Sequence, residues 1–552
     1  MVTKEVPAIF QTRVNMVSVP VVVRDAKGRA IGTYTKENFQ VFDKGKPQEI
    51  VRFAVEKSGD LAAKAAKTVD TIPEGNLPTA DIPERFIAYL FDDIHLAFGD
   101  LARARQAAGR ALATLNRTDR AAIYTTSGQN QVDFTDDVDK LQADLLLIRP
   151  RPLSTAATQC PDISPYMADR IVNLNDSQAI NLVVQELAMC EGNGPNGAQM
   201  MPPPGQPLSL TSPTTSMISG LAQQVLGQSE QETRICLDVM KDLVRHMAAM
   251  PGQRIVVVVS PGFLTTLLSQ DKSDIMDRAI KGNVVINALD ARGLWTDPMF
   301  DLSKPGSASM TPAFQRMKEA YDREAASAQG DILGEMASGT GGVFFHNNND
   351  LDQGFRQTAA APEFYYVLGF SPQNLKLDGS FHALKVVLKP PPGPGLDIQA
   401  RKGYYSPRKL TDAEEEAKEE MKEALFSRDE LNDLPVEIHT KFFKASDKDA
   451  TISVVCRMDP RHIQFRKSDG RNSNTLKVLT ALFDRNGNLL SAMQKNVEIK
   501  MKDATLTKLM SIGAMSVQTN FSVTPGSYMI RMVVRDSEGQ MMSALNGAVA
   551  IQ

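Results

Sequence analysis

Between residues 84 and 361, short apolar runs alternate with amphipathic stretches, and this rhythm restricts the chain more than any other feature. Phe86-Ile87-Ala88-Tyr89-Leu90-Phe91 and Ile255-Val256-Val257-Val258-Val259 are continuously apolar. They lack the polar alternation of a strand that is solvated on one face, and such runs suit parallel strands buried on both faces. Residues 121–126, 284–289 and 343–345 read as further strands. Helices are expected over 101–115, from the Thr135-Asp136-Asp137 cap to about Leu147, and over 236–250, 274–280, 312–336 and 350–360. Strands and helices in this alternation form a mainly parallel sheet covered by helices on both faces. The expected fold class is therefore α/β, doubly wound and Rossmann-like.

The flanks have a different texture. Residues 10–57 alternate as strands do, with Val17, Val19, Val21 and Val23 on one face and turns at Asp25-Ala26-Lys27-Gly28 and Asp43-Lys44-Gly45. An Ala/Lys/Pro-rich linker follows over 58–83. Strand patterns return over 362–405. Segments 10–57 and 362–405 are each too small to fold alone, so they form either one shared sandwich or two separate appendages. Residues 406–433 carry charges at i,i+4 spacing, as a solvated linker helix does, and 434–552 read as an all-β sandwich. Within the α/β region, 152–230 interrupt the rhythm as an insertion, in which 162–187 read as helical and 192–216 are rich in Pro, Gly, Ser, Thr and Met.

The 61 Lys+Arg against 65 Asp+Glu leave no basic excess to hold a polyanion, so nucleic-acid binding is not expected. No apolar run has the roughly 18 residues of a membrane span. The first residues show no signal-peptide pattern, which fits either a cytoplasmic protein or a mature exported form. Four cysteines are too few for a disulfide scaffold. Cys160 and Cys190 bracket the ordered part of the insertion and are the natural pair for a bridge, with two unpaired thiols as the alternative. Cys236 and Cys456 read as buried apolar residues.

Five motifs in order resemble one family. They are Tyr34-Thr35-Lys36-Glu37-Asn38-Phe39-Gln40-Val41-Phe42-Asp43-Lys44-Gly45, Phe91-Asp92-Asp93-Ile94-His95, Ala288-Leu289-Asp290-Ala291-Arg292-Gly293-Leu294, Ser338-Gly339-Thr340-Gly341-Gly342 and Arg401-Lys402-Gly403-Tyr404-Tyr405. Together they make 84–361 resemble a von Willebrand factor type A (VWFA) domain, in the variant common in secreted acidobacterial proteins. The resemblance implies a secreted, periplasmic or cell-surface binding protein rather than an enzyme. It also implies a divalent cation such as Mg²⁺, held by Asp-x-Ser-x-Ser, a Thr and an Asp at the carboxyl edge of the sheet.

That ligand pattern is degenerate here. Aligned on Asp92, the two serine positions are Ile94 and Leu96; aligned on Asp93, they are His95 and Ala97. Thr135 fills the threonine position, beside Asp136, and Ser260-Pro261-Gly262 stands where Asp-Gly is expected. Asp92, Asp93 and Thr135 are the candidate metal ligands, for a weakly held Mg²⁺ or similar ion. The alternative has the two aspartates capping a helix or bonding loop amides. The expected partner-binding face comprises Asp92, Asp93, His95, Thr135, Asp136, Ser260 and Trp295, the last either a recognition anchor or a packed loop residue. No nucleophile elbow, phosphate loop or histidine-pair metal motif is present, and no catalytic residue is assigned. The expected function is non-enzymatic protein binding with no required cofactor. The alternative is a structural subunit or homo-oligomer whose contacts run through its β-sandwiches.

Overall fold

A computed structural model describes residues 17–25, 29–57, 83–153, 161–192, 212–265, 268–294, 312–359, 364–372, 380–389, 395–406, 413–426, 431–468 and 470–551. The chain opens with β1 (Val17–Arg24), β2 (Phe39–Asp43), β3 (Lys46–Gln48) and β4 (Ile50–Lys57).

The α/β region then runs β5 (Arg85–Phe91), α1 (Phe98–Leu112), β6 (Asp119–Thr125), β7 (Gln131–Thr135) and α2 (Val138–Leu145). It continues with α3 (Pro165–Leu174), α4 (Ser177–Gly192), α5 (Ser212–Ala248), β8 (Gln253–Val259), α6 (Ser269–Lys281) and β9 (Val284–Leu289). The last elements are α7 (Pro312–Thr340), β10 (Phe344–Phe345) and α8 (Leu351–Ala359). The six strands form one sheet in the order β10-β9-β8-β5-β6-β7, parallel except for β7, which runs antiparallel to β6. Alternate side chains of β5 enter opposite cores. Phe86, Ala88 and Leu90 pack with α5, α6 and α7, and Ile87, Tyr89 and Phe91 with α1, α2 and α8. Burial on both faces explains the continuous apolar runs.

The insertion is helical at α3 and α4, over the 162–187 expected to be, and again from Ser212. α5 spans 37 residues, about 55 Å, and extends well before Cys236. Its first half packs with α3, α4 and the start of α7 around Met167, Ile171, Leu182, Val183, Phe314 and Tyr321, a core separate from the sheet.

After the α/β region come β11 (Phe364–Phe370), β12 (Phe381–Leu388), β13 (Asp397–Ala400) and β14 (Gly403–Tyr405). Both flanks contribute to each of two four-stranded sheets, β13-β1-β11-β4 and β14-β12-β2-β3. The sheets enclose one core of Val19, Val21, Val23, Phe39, Val41, Tyr366, Leu368, Phe370 and Leu384. Pro20 lies opposite Val367 of β11, while pairing with β13 begins only at Val21, so no ladder bond is lost at the proline.

Helix α9 (Ala413–Phe426) is not a solvated linker. Ala417, Met421, Ala424 and Leu425 are buried, and the last three pack on Ala481, Phe483, Met529 and Val533 of the C-terminal domain. The charged i,i+4 pairs face outward and mask this apolar stripe in the sequence. That domain contains β15 (Leu431–Asn432), β16 (Val436–Lys444), β17 (Ala450–Met458), β18 (Arg466–Ser468), β19 (Arg471–Asp484), β20 (Leu489–Met501), α10 (Asp503–Ile512), β21 (Met515–Val523), β22 (Ser527–Asp536) and β23 (Met542–Ala550). A β16-β17-β21 sheet faces a larger antiparallel sheet built on β19, β22 and β23 across a shared apolar core. The molecule is thus mixed α/β, with a mainly parallel six-stranded sheet and antiparallel sandwich-like sheets on either side.

Candidate functional site

In the six-stranded sheet the order of winding reverses between the parallel strands β5 and β8: later strands β8, β9 and β10 extend one way and β6 and β7 the other. The carboxyl ends of these two strands lie at that switch point, where open α/β sheets usually have their ligand crevice. Asp92 and Asp93 leave β5 at that point, Thr126 and Ser127 leave β6, and Ser260 leaves β8. Both aspartates have no exposed surface.

Burial without pairing would be costly, and each carboxylate is surrounded by donors. Ser260 Oγ donates to Asp92 Oδ2 at 2.6 Å, and Thr126 Oγ1 lies 3.0 Å from Asp92 Oδ1. Nδ1 of His95 faces both Asp92 oxygens at 3.0 Å. Asp93 accepts from the Ser127 amide at 2.9 Å and the Ser127 hydroxyl at 2.5 Å, and lies 3.1 Å from the Thr126 hydroxyl. Ser260 in turn accepts from the Gly262 amide at 2.9 Å.

The electrostatics follow from this packing. Burial pushes the Asp92 carboxyl up, but the His95 charge and the His95, Ser260 and Thr126 hydrogen bonds outweigh it and hold it below the usual carboxylate range. Burial likewise works against the His95 charge, yet Asp92 and then Glu232 keep the imidazole above its ordinary value. Glu232 lies 3.9 Å from Nε2, and Phe263 stacks on the ring at 5.5 Å.

Cys236 of α5 completes the group, with Sγ 3.7 Å from Asp92 Oδ1 and 3.8 Å from His95 Nδ1. It is fully buried, and burial followed by the Asp92 charge pushes its thiol well up. A cysteine–histidine–aspartate relay needs thiol and carboxylate on opposite ring nitrogens. Here both face Nδ1, so these three residues do not form one.

The expected site residues divide between two edges of the sheet. Asp92, Asp93, His95 and Ser260 come together. Thr135 and Asp136 do not join them, because β7 runs antiparallel and carries its end to the opposite edge, Thr135 pairing with Ala121 near the start of β6. There the Thr135 hydroxyl accepts from the Asp137 amide, and Asp136 forms ion pairs with Arg485 and, at 3.5 Å, Arg120. The threonine beside the aspartates is Thr126. Cys236 was read only as core filling, and its helical position gave no sign of the aspartates. Trp295, Cys160 and the Cys190 side chain lie outside the described residues.

The Mg²⁺ implied by the resemblance does not fit these residues. Such an ion takes about six hard oxygen ligands. Ile94 and Leu96 are buried in opposite apolar cores, Thr135 is at the other edge, and protein donors occupy the carboxylate oxygens. The donors beside the aspartates are hydroxyls already bonded to their carboxylates, a nitrogen and a sulfur.

No family model matches the chain, and no curated protein matches it. Solved structures give only partial likenesses. A calcium-binding mutant of Bacteroides uniformis beta-glucuronidase 2 is 15% identical at TM-score 0.15, over 21% of this chain and 13% of that one. A putative ApaA protein from Bordetella pertussis is 6% identical at TM-score 0.14, over 21% of this chain and 93% of that one. A putative beta-galactosidase from Bacteroides fragilis is 14% identical at TM-score 0.15, over 21% and 16%. Likenesses of this size assign neither a family nor an activity to the chain.

Proposed function

We propose that residues 84–361 form a VWFA-type domain that binds a protein partner, without catalysis, through the loops at the carboxyl edge of its sheet. The observation that carries this reading is the exposed apolar surface around that edge. Phe98, at the start of α1, is 66% exposed, and Leu294, after β9, is 49% exposed. Leu153, 53% exposed, follows the segment whose Arg151 amide donates to the Asp93 carbonyl. Large apolar side chains on a rigid, buried polar base are what a recognition surface uses. The strand order and the five motifs support the family reading, and the place of action that follows from it is outside the cytoplasm. Binding needs no Mg²⁺, because the base of the face is held by hydrogen bonds.

Affinity capture from cell-envelope extracts with Phe98→Asp/Leu294→Asp against the unaltered protein tests this, with melting curves to confirm equal folding. A partner retained by the unaltered protein and weakened at least about tenfold, ~1.4 kcal/mol, by the double substitution is the expected result. A partner indifferent to these residues, or none at all, overturns the reading.

The structural-subunit alternative also has an observation in its favour. Edge strand β16 exposes Phe442 and Phe443, and the start of β20 exposes Leu489 and Leu490. Sedimentation velocity on the full chain, with Phe443→Glu/Leu490→Glu as comparison, decides it. Concentration-dependent association lost in that variant favours assembly, and a monomer at all concentrations removes the alternative.

A further inference from the structure

We propose that Asp92, His95 and Cys236 form a buried three-residue transition-metal site of the Zn²⁺ class, tying helix α5 to the carboxyl edge of the sheet. The assignment stands apart from the partner-binding reading and holds or fails without it. Asp92 Oδ1, His95 Nδ1 and Cys236 Sγ form a triangle of 3.0, 3.7 and 3.8 Å. With Zn–S of about 2.3 Å and Zn–N or Zn–O of about 2.0 Å, a tetrahedral ion has edges of about 3.3 Å between N and O and about 3.5 Å from S to either. The triangle matches these within a few tenths of an ångström. Thr126, whose hydroxyl lies 3.0 Å from Asp92 Oδ1, stands beside the triangle.

The surrounding residues have the form of an outer ligand shell. Ser260 holds the second Asp92 oxygen at 2.6 Å, and Oδ1, which accepts from the Thr126 hydroxyl at 3.0 Å, is the oxygen turned toward Cys236. Glu232 lies one helical turn before Cys236 and faces His95 Nε2 at 3.9 Å, the carboxylate position that orients a metal-bound imidazole. Phe263 stacks on the same ring. An ion entering past His95, the only partly exposed member of the three, displaces the thiol proton and any proton on Nδ1 to solvent. A mixed N/O/S set selects Zn²⁺ or Co²⁺ over Mg²⁺. With both Asp92 and Cys236 fully buried, the ion would be held away from bulk solvent.

The full-length protein, stripped with chelator and titrated with Co²⁺, tests the site. The expected result is one Co²⁺ per chain, with the strong visible bands of a tetrahedral ion and a thiolate-to-cobalt charge-transfer band. Equimolar Zn²⁺ displaces it, and a thousandfold excess of Mg²⁺ does not. Cys236→Ser loses the charge-transfer band and at least tenfold in Co²⁺ affinity. If that variant does not fold, Glu232→Gln serves instead: it keeps the three ligands and the band while weakening Co²⁺ severalfold. Absence of stoichiometric Co²⁺, an octahedral spectrum without charge transfer, or a band that survives in folded Cys236→Ser overturns the proposal. So does Glu232→Gln with unchanged affinity where it is the variant used.

Discussion

The Ser260 hydroxyl links Asp92 to the Gly262 amide, donating to the one and accepting from the other. Ser260→Ala leaves a buried carboxylate oxygen and a buried amide each short of a partner. In chelator-treated protein it is expected to cost about 1–3 kcal/mol, read from urea unfolding at neutral pH. An unchanged midpoint would show that the bond contributes nothing. At this scale the sequence was only partly informative. Asp92, Asp93, His95 and Ser260 were legible as loop residues following apolar strands. Thr126 and Ser127 passed unnoticed beside the more conspicuous Thr135-Asp136-Asp137. Cys236 stands 141 positions from His95, and nothing local to either residue signals the approach.

Among the elements, the loop after β8 shows how tightly the edge is built. Gly262 has φ +84°, and a Cβ there would strike the Gln329 carbonyl of α7. Gly262→Ala therefore meets both left-handed backbone and a main-chain clash. It is expected to lower stability by more than about 2 kcal/mol, seen as a fall in melting temperature. A variant as stable as the parent would mean that α7 yields. The parallel strands of the α/β region are legible because burial on both faces demands unbroken apolar runs, whereas β7, with alternating burial, is not. α9 looks solvated in the sequence because eight of its 14 residues are charged and mask the buried Ala417, Met421, Ala424 and Leu425 stripe. The first half of α5 was missed for a related reason: Gly and Ser interrupt it, and its apolar face packs on other helices rather than on the sheet.

Across the whole molecule, the opposite edge of the sheet is a docking surface. Arg120, fully buried, donates to the Arg485 carbonyl at 2.7 Å, and Arg485 pairs with Asp136. Burial raises the Asp136 carboxyl, but the Arg485 hydrogen bond and the Arg120 and Arg485 charges outweigh it, so its folded pKa lies below its unfolded one. Stability from a depressed carboxylate is present above the unfolded value, about 4, and is lost as pH falls through the folded one. Thermal melts from neutral pH down to about pH 3 are expected to fall less steeply in Asp136→Asn, which is also less stable at neutral pH. Equal slopes would show that the pair does not couple the two domains. The flanking sandwich is likewise a long-range construction. Val21 is fully buried and pairs with Tyr366 and Ala400. Val21→Asp places an unpaired charge in that core, and hydrogen exchange is expected to lose protection in 17–57 and 364–405 together. Loss confined to one segment would mean that the two flanks unfold independently.

By itself the sequence determined the parallel buried strands and most of the helices that cover them, since periodicity and apolar content act over a few residues. It also determined that two polar residues, Asp92 and Asp93, follow directly on a buried strand. The tertiary structure alone decided which edge each loop would reach and which distant side chains would meet there. Apolar pattern does not encode strand direction, so the antiparallel course of β7 sends Thr135 and Asp136 to the domain interface. It likewise does not encode helix placement, so only the packed fold brings Cys236 of α5 against Asp92 and His95.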